Sequence, residues 1–422
     1  MAKPSPVTLV TGASTGIGHA IAVHLARCGH RVFAGMRAPA GGDIMGRKEA
    51  VGLAAMAATE DISIVPLVLE VTDEHSCADA VARIEETVGP IDVLVNNAGV
   101  GSSGAVEDIP IDVMRSLLET NVIGPAGLCR LVLPSMRQRR SGAIVNVSSL
   151  AGRIANPCHG GYAASKWALE SVTECLAMEV SRFNIRVVLL EPGCITTPIW
   201  TQLKTGTWSA PRRNPALPYT ELQLRSDRYF KKMILTNPQP TICAEAVAEA
   251  LTSPQYKLRW PVGTDAVRMS QERAELDDAE LVASGLEQTE ASIKAYWRTH
   301  WGFDDFVDDD DQLHALLNAR GSPPAFDPAS MRLRPKANVL VTGSSTGIGK
   351  AICVKLARQG HRVLASMRGP ADRAEAQELL QTAEREGVQV SLRVSIPATN
   401  APPMTSYLRA EWSAGARSKC SC

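Results

Sequence analysis

Thr11-Gly12-Ala13-Ser14-Thr15-Gly16-Ile17-Gly18 follows a short apolar run, Val7 to Thr11, and opens a helical pattern from Gly16 to Cys28 that Gly29 closes. A strand, a glycine turn and a helix in that order make a phosphate cradle. The glycines permit the tight turn and let the backbone approach a pyrophosphate, which then meets the helix N-terminus. The spacing Gly-x-x-x-Gly-x-Gly is not the commoner Gly-x-Gly-x-x-Gly. By itself it fits a structural turn equally well, and its weight comes from the strand before it and the helix after it.

Outward from this turn, strand and helix signals alternate up to about residue 195. Strands are expected at Arg31 to Met36, Ile62 to Val71, Ile91 to Val95, Ala143 to Val147 and Ile185 to Leu190. Helices are expected at Ser76 to Val88, at Ile111 to Met136 with a break at Pro125, and at Tyr162 to Phe183. Apolar strands alternating with helices of this length predict an α/β fold: a doubly wound parallel sheet of the Rossmann type. From Trp200 to about Lys231 the periodicity fails, and residues from about 198 to 235 are expected to form a lid over a pocket. Ala244 to Thr252 reads as a helix, Leu258 to Val262 as a last strand, and Ala266 to Tyr296 as helical and charged. The first domain is thus set at 1–300, followed by an acidic loop and Pro/Ala/Arg-rich linker at 301–336.

Then the chain repeats itself. Thr342 to Arg368 matches Thr11 to Arg37 at roughly 20 of 27 positions without a gap. The copy continues through a helix near Ala371 to Glu386 and a strand near Val388 to Val394, without a Tyr-x-x-x-Lys. A partial duplicate Rossmann half is expected at 337–395, its first strand left at an open sheet edge, and a disordered tail at 396–422.

Bulk properties exclude several classes. In 422 residues the 44 Lys and Arg balance the 44 Asp and Glu, so nothing points to nucleic acid or an anionic membrane. The longest apolar runs fall short of the roughly 20 residues that a membrane span needs. Met1 to Pro6 leads straight into the first strand, with no signal peptide. The ten cysteines are scattered, without metal-ligand spacing, and read as reduced thiols of a cytoplasmic protein that binds no metal. The end, Cys420-Ser421-Cys422, is not a prenylation box, because Lys419 stands where the box needs Cys.

The chemistry centres on Gly161-Tyr162-Ala163-Ala164-Ser165-Lys166. Tyr and Lys four apart share a helix face. An ammonium near a phenol favours the phenolate, so the Tyr162 pKa is expected to fall from about 10 toward neutrality. Such a phenol exchanges a proton with an alcohol or carbonyl while a nicotinamide moves the hydride. Standing alone, the pair would read as a surface pair. Arg37, ending the second strand, suits the 2′-phosphate of NADP rather than the ribose hydroxyls of NAD, although a solvated arginine is the plain alternative. Asn96-Asn97-Ala98-Gly99 ends the fourth strand and Ser148-Ser149 the fifth; Pro192-Gly193, with Thr197, follows the sixth.

These motifs, in this order and spacing, resemble the short-chain dehydrogenase/reductase family over about residues 5 to 265. The resemblance implies Tyr162 as general acid/base, Lys166 holding the nicotinamide ribose, Ser149 bonding the substrate oxygen and Asn121 holding a relay water. Ser148 sits one place early. It implies cofactor contacts from Gly12, Ser14, Thr15, Gly16, Ile17, Gly18, Arg37, Asn97, Ala98, Gly99, Pro192 and Gly193, with the Ile195 backbone and Thr197 orienting the carboxamide. Glu70-Val71 stands where the family often has Asp-Val against the adenine. Leu258-Arg259-Trp260-Pro261-Val262-Gly263 and the region from Pro192 to Trp200 are similar to the branch containing hydroxysteroid and retinol dehydrogenases. Ile199, Trp200, Leu203 and Trp208 accord with a hydrophobic substrate. The implied activity is NADP(H)-dependent interconversion of a hydrophobic secondary or allylic alcohol and its carbonyl, by a homo-oligomer, dimer or tetramer, built on the helices carrying Asn121 and Tyr162. The competing reading is a non-catalytic NADPH-binding regulator, motivated by the second glycine turn.

Overall fold

In the computed structural model the described residues are 5–38, 42–198, 218–236, 239–283, 336–344, 346–368 and 374–395, with isolated positions 295 and 298. The chain divides into two units, Met1–Phe326 and Asp327–Cys422.

In the first unit, β1 (Val7–Thr11), α1 (Gly16–Arg27) and β2 (Arg31–Met36) are followed by α2 (Lys48–Glu60), β3 (Ile64–Val68), α3 (Glu74–Val88) and β4 (Val93–Asn96). Next come α4 (Ile111–Leu118), a π turn (Glu119–Ile123), α5 (Gly124–Arg139), β5 (Gly142–Val147), α6 (Gly160–Val180) and β6 (Ile185–Pro192). The unit closes with α7 (Thr220–Thr236), α8 (Thr241–Thr252), β7 (Arg259–Val262), α9 (Thr264–Glu275) and α10 (Asp278–Ala283).

The seven strands form one sheet in the order β3-β2-β1-β4-β5-β6-β7, every pair parallel. This is the doubly wound Rossmann arrangement, with the strand order reversing between β1 and β4. Alternate residues of each strand face opposite sides. Val10, Val32, Val95 and Val188 pack with Ile21, Leu53 and Val247 of α1, α2 and α8. Leu9, Phe33 and Leu94 pack with Ile84, Leu128 and Leu176 of α3, α5 and α6. Helices on both faces explain why β1 is buried at all five positions and reads as continuously apolar.

Three local differences from the sequence expectation have physical causes. Helix α2 was not foreseen, because its Ala-rich stretch buries only Ala50, Leu53 and Ala57 and carries a weak apolar stripe. The break in the long fourth helix is the π turn before Pro125, and Pro125, in the first turn of α5, follows directly on this turn, where the i→i−4 ladder is already interrupted and a missing N–H is tolerated. The stretch after Trp200 was expected to be irregular; residues 199–217 lie outside those described, but Thr220 to Thr236 is the helix α7. Its polar composition hid the period.

The second unit contains β8 (Asn338–Thr342), α11 (Gly347–Arg358), β9 (Arg362–Arg368), α12 (Ala374–Arg385) and β10 (Val390–Ser395). They form a three-stranded parallel sheet, β10-β9-β8, with its own core around Cys353, Ala365 and Leu379. As the sequence foresaw, β8 is an edge: among the described residues it pairs with β9 alone.

Candidate active site

The site lies at the C-terminal ends of the strands, where the order reverses, as expected for open α/β sheets. A cleft of about 610 Å³ runs from Arg37, at the end of β2, across the glycine turn to Ser149, Tyr162 and Thr197.

The turn is held from the neighbouring strand end. Thr11 Oγ1 accepts from the backbone N–H groups of Asn97 and Ala98, each at 2.9 Å. Asn97 Nδ2 donates to the carbonyls of Thr11 (2.9 Å) and Gly12 (3.2 Å). Gly12 has φ +63°, and a Cβ there would lie 2.8 Å from Ala98 Cα. A Cβ on Gly18 would lie 2.3 Å from Asn97 Nδ2. Only glycine fits at these two places. Ser14, Thr15, Gly16, Ile17, Ala98 and Gly99 line the cleft, whereas Gly18 stands behind it and closes the packing of turn on strand.

At one end of the cleft Arg37 is joined by a second cation that sequence reading missed. Arg47 Nη1 donates to the Arg37 carbonyl at 2.9 Å, and its Nε lies 3.4 Å from Glu49 Oε2. Both arginines line the cleft. Nothing in the spacing marks Arg47, since the sequence between it and Arg37 has no periodicity. Glu70 and Val71 also line this part. The Glu70 carboxylate accepts from the Thr72 backbone N–H (3.2 Å) and hydroxyl (3.0 Å).

At the other end, Tyr162 and Lys166 face the cleft from the first turns of α6, and Ser149 faces it from the end of β5. Ser149 Oγ accepts from Ala151 N–H at 3.1 Å, which caps a short turn and fixes the hydroxyl. Lys166 is buried and donates to the Val147 carbonyl at 2.8 Å. Its Nζ lies 5.7 Å from the centre of the Tyr162 ring. Asn121 is fully buried in the π turn and does not line the cleft. Its Oδ1 accepts from Val100 N–H (2.9 Å), and its Nδ2 donates to Val100 O (3.0 Å) and Ser165 Oγ (2.9 Å). The buried His159 ring packs edge-on against Tyr162 at 5.4 Å and lies 4.7 Å from Phe230 of α7.

The electrostatics correct one expectation. Burial pushes the Tyr162 phenol up to about 12; Ser149 pulls it down and Cys194 pushes it further up. The expected fall toward neutrality is not seen: burial is the largest effect on the phenol, and the Lys166 ammonium donates to Val147 O. Burial lowers Lys166 to about 8, against the opposing charge of Glu170.

The loop after β6 folds back on the glycine turn. Gly193 N–H donates to Val262 O (2.9 Å) and Cys194 N–H to Asp265 Oδ2 (2.7 Å). Pro192, Gly193, Ile195 and Thr197 all line the cleft. Thr197 abuts Gly16: a Cβ on Gly16 would lie 3.3 Å from it. The anchor Asp265 was missed, although an acid in the first turn of a helix after Gly263 was a readable signal.

Among the described residues no cluster fit for a metal ion exists, and no helix is long and apolar enough to cross a membrane. A dinucleotide fits what is present: a glycine cradle at a helix N-terminus, two cations at one end and a polar triad at the other. The fold and the cleft therefore define a dinucleotide-binding α/β protein.

The chain belongs to the short chain dehydrogenase family, which it matches over residues 6–208 and again over 337–401. It is 34% identical to a short-chain dehydrogenase structure from Streptomyces avermitilis, with a TM-score of 0.56, covering 68% of this chain and 99% of that one. It is 35% identical over 266 residues to retinol dehydrogenase 8 of Homo sapiens, covering 61% of this chain and 82% of that protein. An actinorhodin polyketide ketoreductase structure with NADPH is 27% identical, with a TM-score of 0.50, covering 62% of this chain and 97% of that one.

Proposed function

We propose that this oxidoreductase uses NADP(H) to interconvert a hydrophobic secondary or allylic alcohol and its carbonyl. The observation that carries the reading is the convergence of Ser149, Tyr162 and Lys166 on the cleft that the glycine turn opens. The nicotinamide supplies or accepts the hydride when bound. In the reducing direction Tyr162 gives its proton to the carbonyl oxygen, and a phenol pushed up to about 12 is the protonated form that this step needs. Ser149 Oγ, held by Ala151 N–H, hydrogen-bonds the same oxygen. Lys166 holds the nicotinamide ribose, Asn121 fixes the backbone at Val100 beside a relay water, and the Ile195 backbone and Thr197 orient the carboxamide.

Arg37 and Arg47 support the choice of NADP(H), as does the NADPH in the ketoreductase structure. The likeness to retinol dehydrogenase 8 and the Phe230 ring in the cleft wall support a hydrophobic substrate. Exposed Ile111, Trp167 and Met178 on α4 and α6 support a homo-oligomer formed through those helices. The complete domain spans 1–300, and 337–395 is a partial duplicate with no second active site. A cytoplasmic location accords with the free thiols of the described cysteines.

The test is NADPH oxidation against retinoid, steroid and aryl carbonyls, with NADH in parallel. Turnover should prefer NADPH, and Tyr162→Phe should lower it about 10²- to 10⁴-fold while leaving NADPH affinity intact. Retained turnover in Tyr162→Phe sinks the role given to the phenol. NADPH binding without any turnover favours the regulator instead.

A further inference from the structure

The chain leaving β6 enters the cleft wall at once. The last parallel pair is Pro192 with Val262, and Gly193 N–H extends the ladder to the Val262 carbonyl at 2.9 Å. β7 ends there, and Asp265 takes over as acceptor: its Oδ2 receives the buried Cys194 N–H at 2.7 Å. A carboxylate acceptor makes a shorter and stronger bond than a neutral one. The side chain, 5% exposed, fits against two glycines. A Cβ on Gly193 would collide with both carboxylate oxygens, and one on Gly263 would lie 2.5 Å from Oδ1. The base of this arm is fixed as well, because Ala266 and Met269 bury the start of α9 in the core. Further along, Ile195 is buried in the core and Thr197 abuts Gly16. The segment from Gly193 to Thr197 is therefore held at both ends. Gly193, Cys194, Ile195 and Thr197 line the cleft, and Asp265 does not.

We propose that Asp265 is a positioning residue for the nicotinamide half of the dinucleotide: from behind the cleft it presets the backbone of residues 193–197, and with it the wall that receives the ring. The inference rests on the NADP(H) reading given above. A wall that is already ordered binds without first losing conformational freedom, whereas a wall that binding must order gives up affinity. The Cys194 bond decides which of the two this segment is. It stands between the end of the sheet and the contact of Thr197 with the glycine turn, where no strand pairing continues. The adenosine half lies at the other end of the cleft, beside Arg37 and Arg47, and touches none of this segment's anchors. Loss of the Asp265 carboxylate should therefore be felt by one half of the dinucleotide and not by the other.

The test compares two probes on the full chain by titration calorimetry: NADPH, and adenosine 2′,5′-bisphosphate, which lacks the nicotinamide half. Asp265→Ala should weaken NADPH about tenfold and leave adenosine 2′,5′-bisphosphate unmoved. Asp265→Asn, which keeps an oxygen for the Cys194 N–H, should recover part of the loss. A merely structural role would weaken both probes together, so an equal loss on the two overturns the proposal, as does an unmoved NADPH affinity. If Asp265→Ala does not fold, Asp265→Glu gives the same readout. It keeps the carboxylate on a longer arm that the glycines leave no room for: a selective loss of NADPH supports the proposal, and an unmoved or equal response overturns it. A parent chain that binds neither probe overturns the cofactor reading itself, whereas a parent that binds both, with variants that match it, overturns the role of Asp265 alone.

Discussion

Thr11→Val removes one oxygen and almost no volume, and it tests whether the glycine turn is held from β4 as described. Thr11 is 1% exposed, and its hydroxyl accepts two backbone N–H groups at 2.9 Å each. Each donor left without a partner costs about 1–3 kcal/mol. Asn97 and Ala98 sit at the cleft wall, partly open to water, so the lower figure applies and the two losses sum to about 2 kcal/mol. The added methyl returns about 0.8 kcal/mol if it packs fully. The net loss is therefore about 1–2 kcal/mol. With a urea slope of about 3 kcal/mol/M, the unfolding midpoint should fall by about 0.5 M. Circular dichroism in urea reads this, and NADPH affinity measured by fluorescence should fall as well, since the Gly12 carbonyl loses part of its frame. A midpoint and an affinity both equal to those of the parent would refute the reasoning.

Replacing Arg37 with Glu should weaken NADPH binding at least tenfold and NADH binding much less, and Arg47→Ala should do the same to a smaller degree; equal effects on the two cofactors would remove the arginines from the 2′-phosphate. Glu191 ionises in the unfolded chain near its ordinary 4.5 but in the fold only near about 7, so between these values the folded state binds more protons and stability falls as pH rises. Glu191→Gln should flatten that fall in melting temperature, and an unchanged slope would contradict it. Hydrogen exchange should be faster in β8 than in β1, because β1 pairs with both β2 and β4 while β8 pairs with β9. Equal protection of the two strands would show that the β8 edge is covered.

The strands and the glycine turn were legible because both faces of the sheet are covered, which makes each strand an unbroken apolar run between turn residues. Tyr162, Lys166 and Ser149 were legible as a set in order and spacing, and the cleft does bring them together. What could not be read is whatever depends on three dimensions alone. Arg47 reaches Arg37 across 10 residues, Asp265 reaches Cys194 across 71, and Arg259 reaches Glu170 across 89. The direction of the Lys166 ammonium follows from the Val147 carbonyl rather than from i, i+4 spacing, and the sign of the Tyr162 shift follows from burial of the phenol.

The π turn at Glu119–Ile123 carries one residue more than a regular turn would. Each residue of a helix advances it by about 100°. Loss of one residue here would let α4 and α5 merge into a smooth helix but would swing one half by about that angle against the other. Leu128, Cys129, Val132 and Met136 would then leave the sheet, or Leu117 would leave its pocket, and Asn121 could no longer reach both Val100 and Ser165. The segment is thus a ruler whose length is fixed to the single residue: it can accept changes of side chain, but a one-residue deletion anywhere between 119 and 123 should be as damaging as removing Asn121 itself.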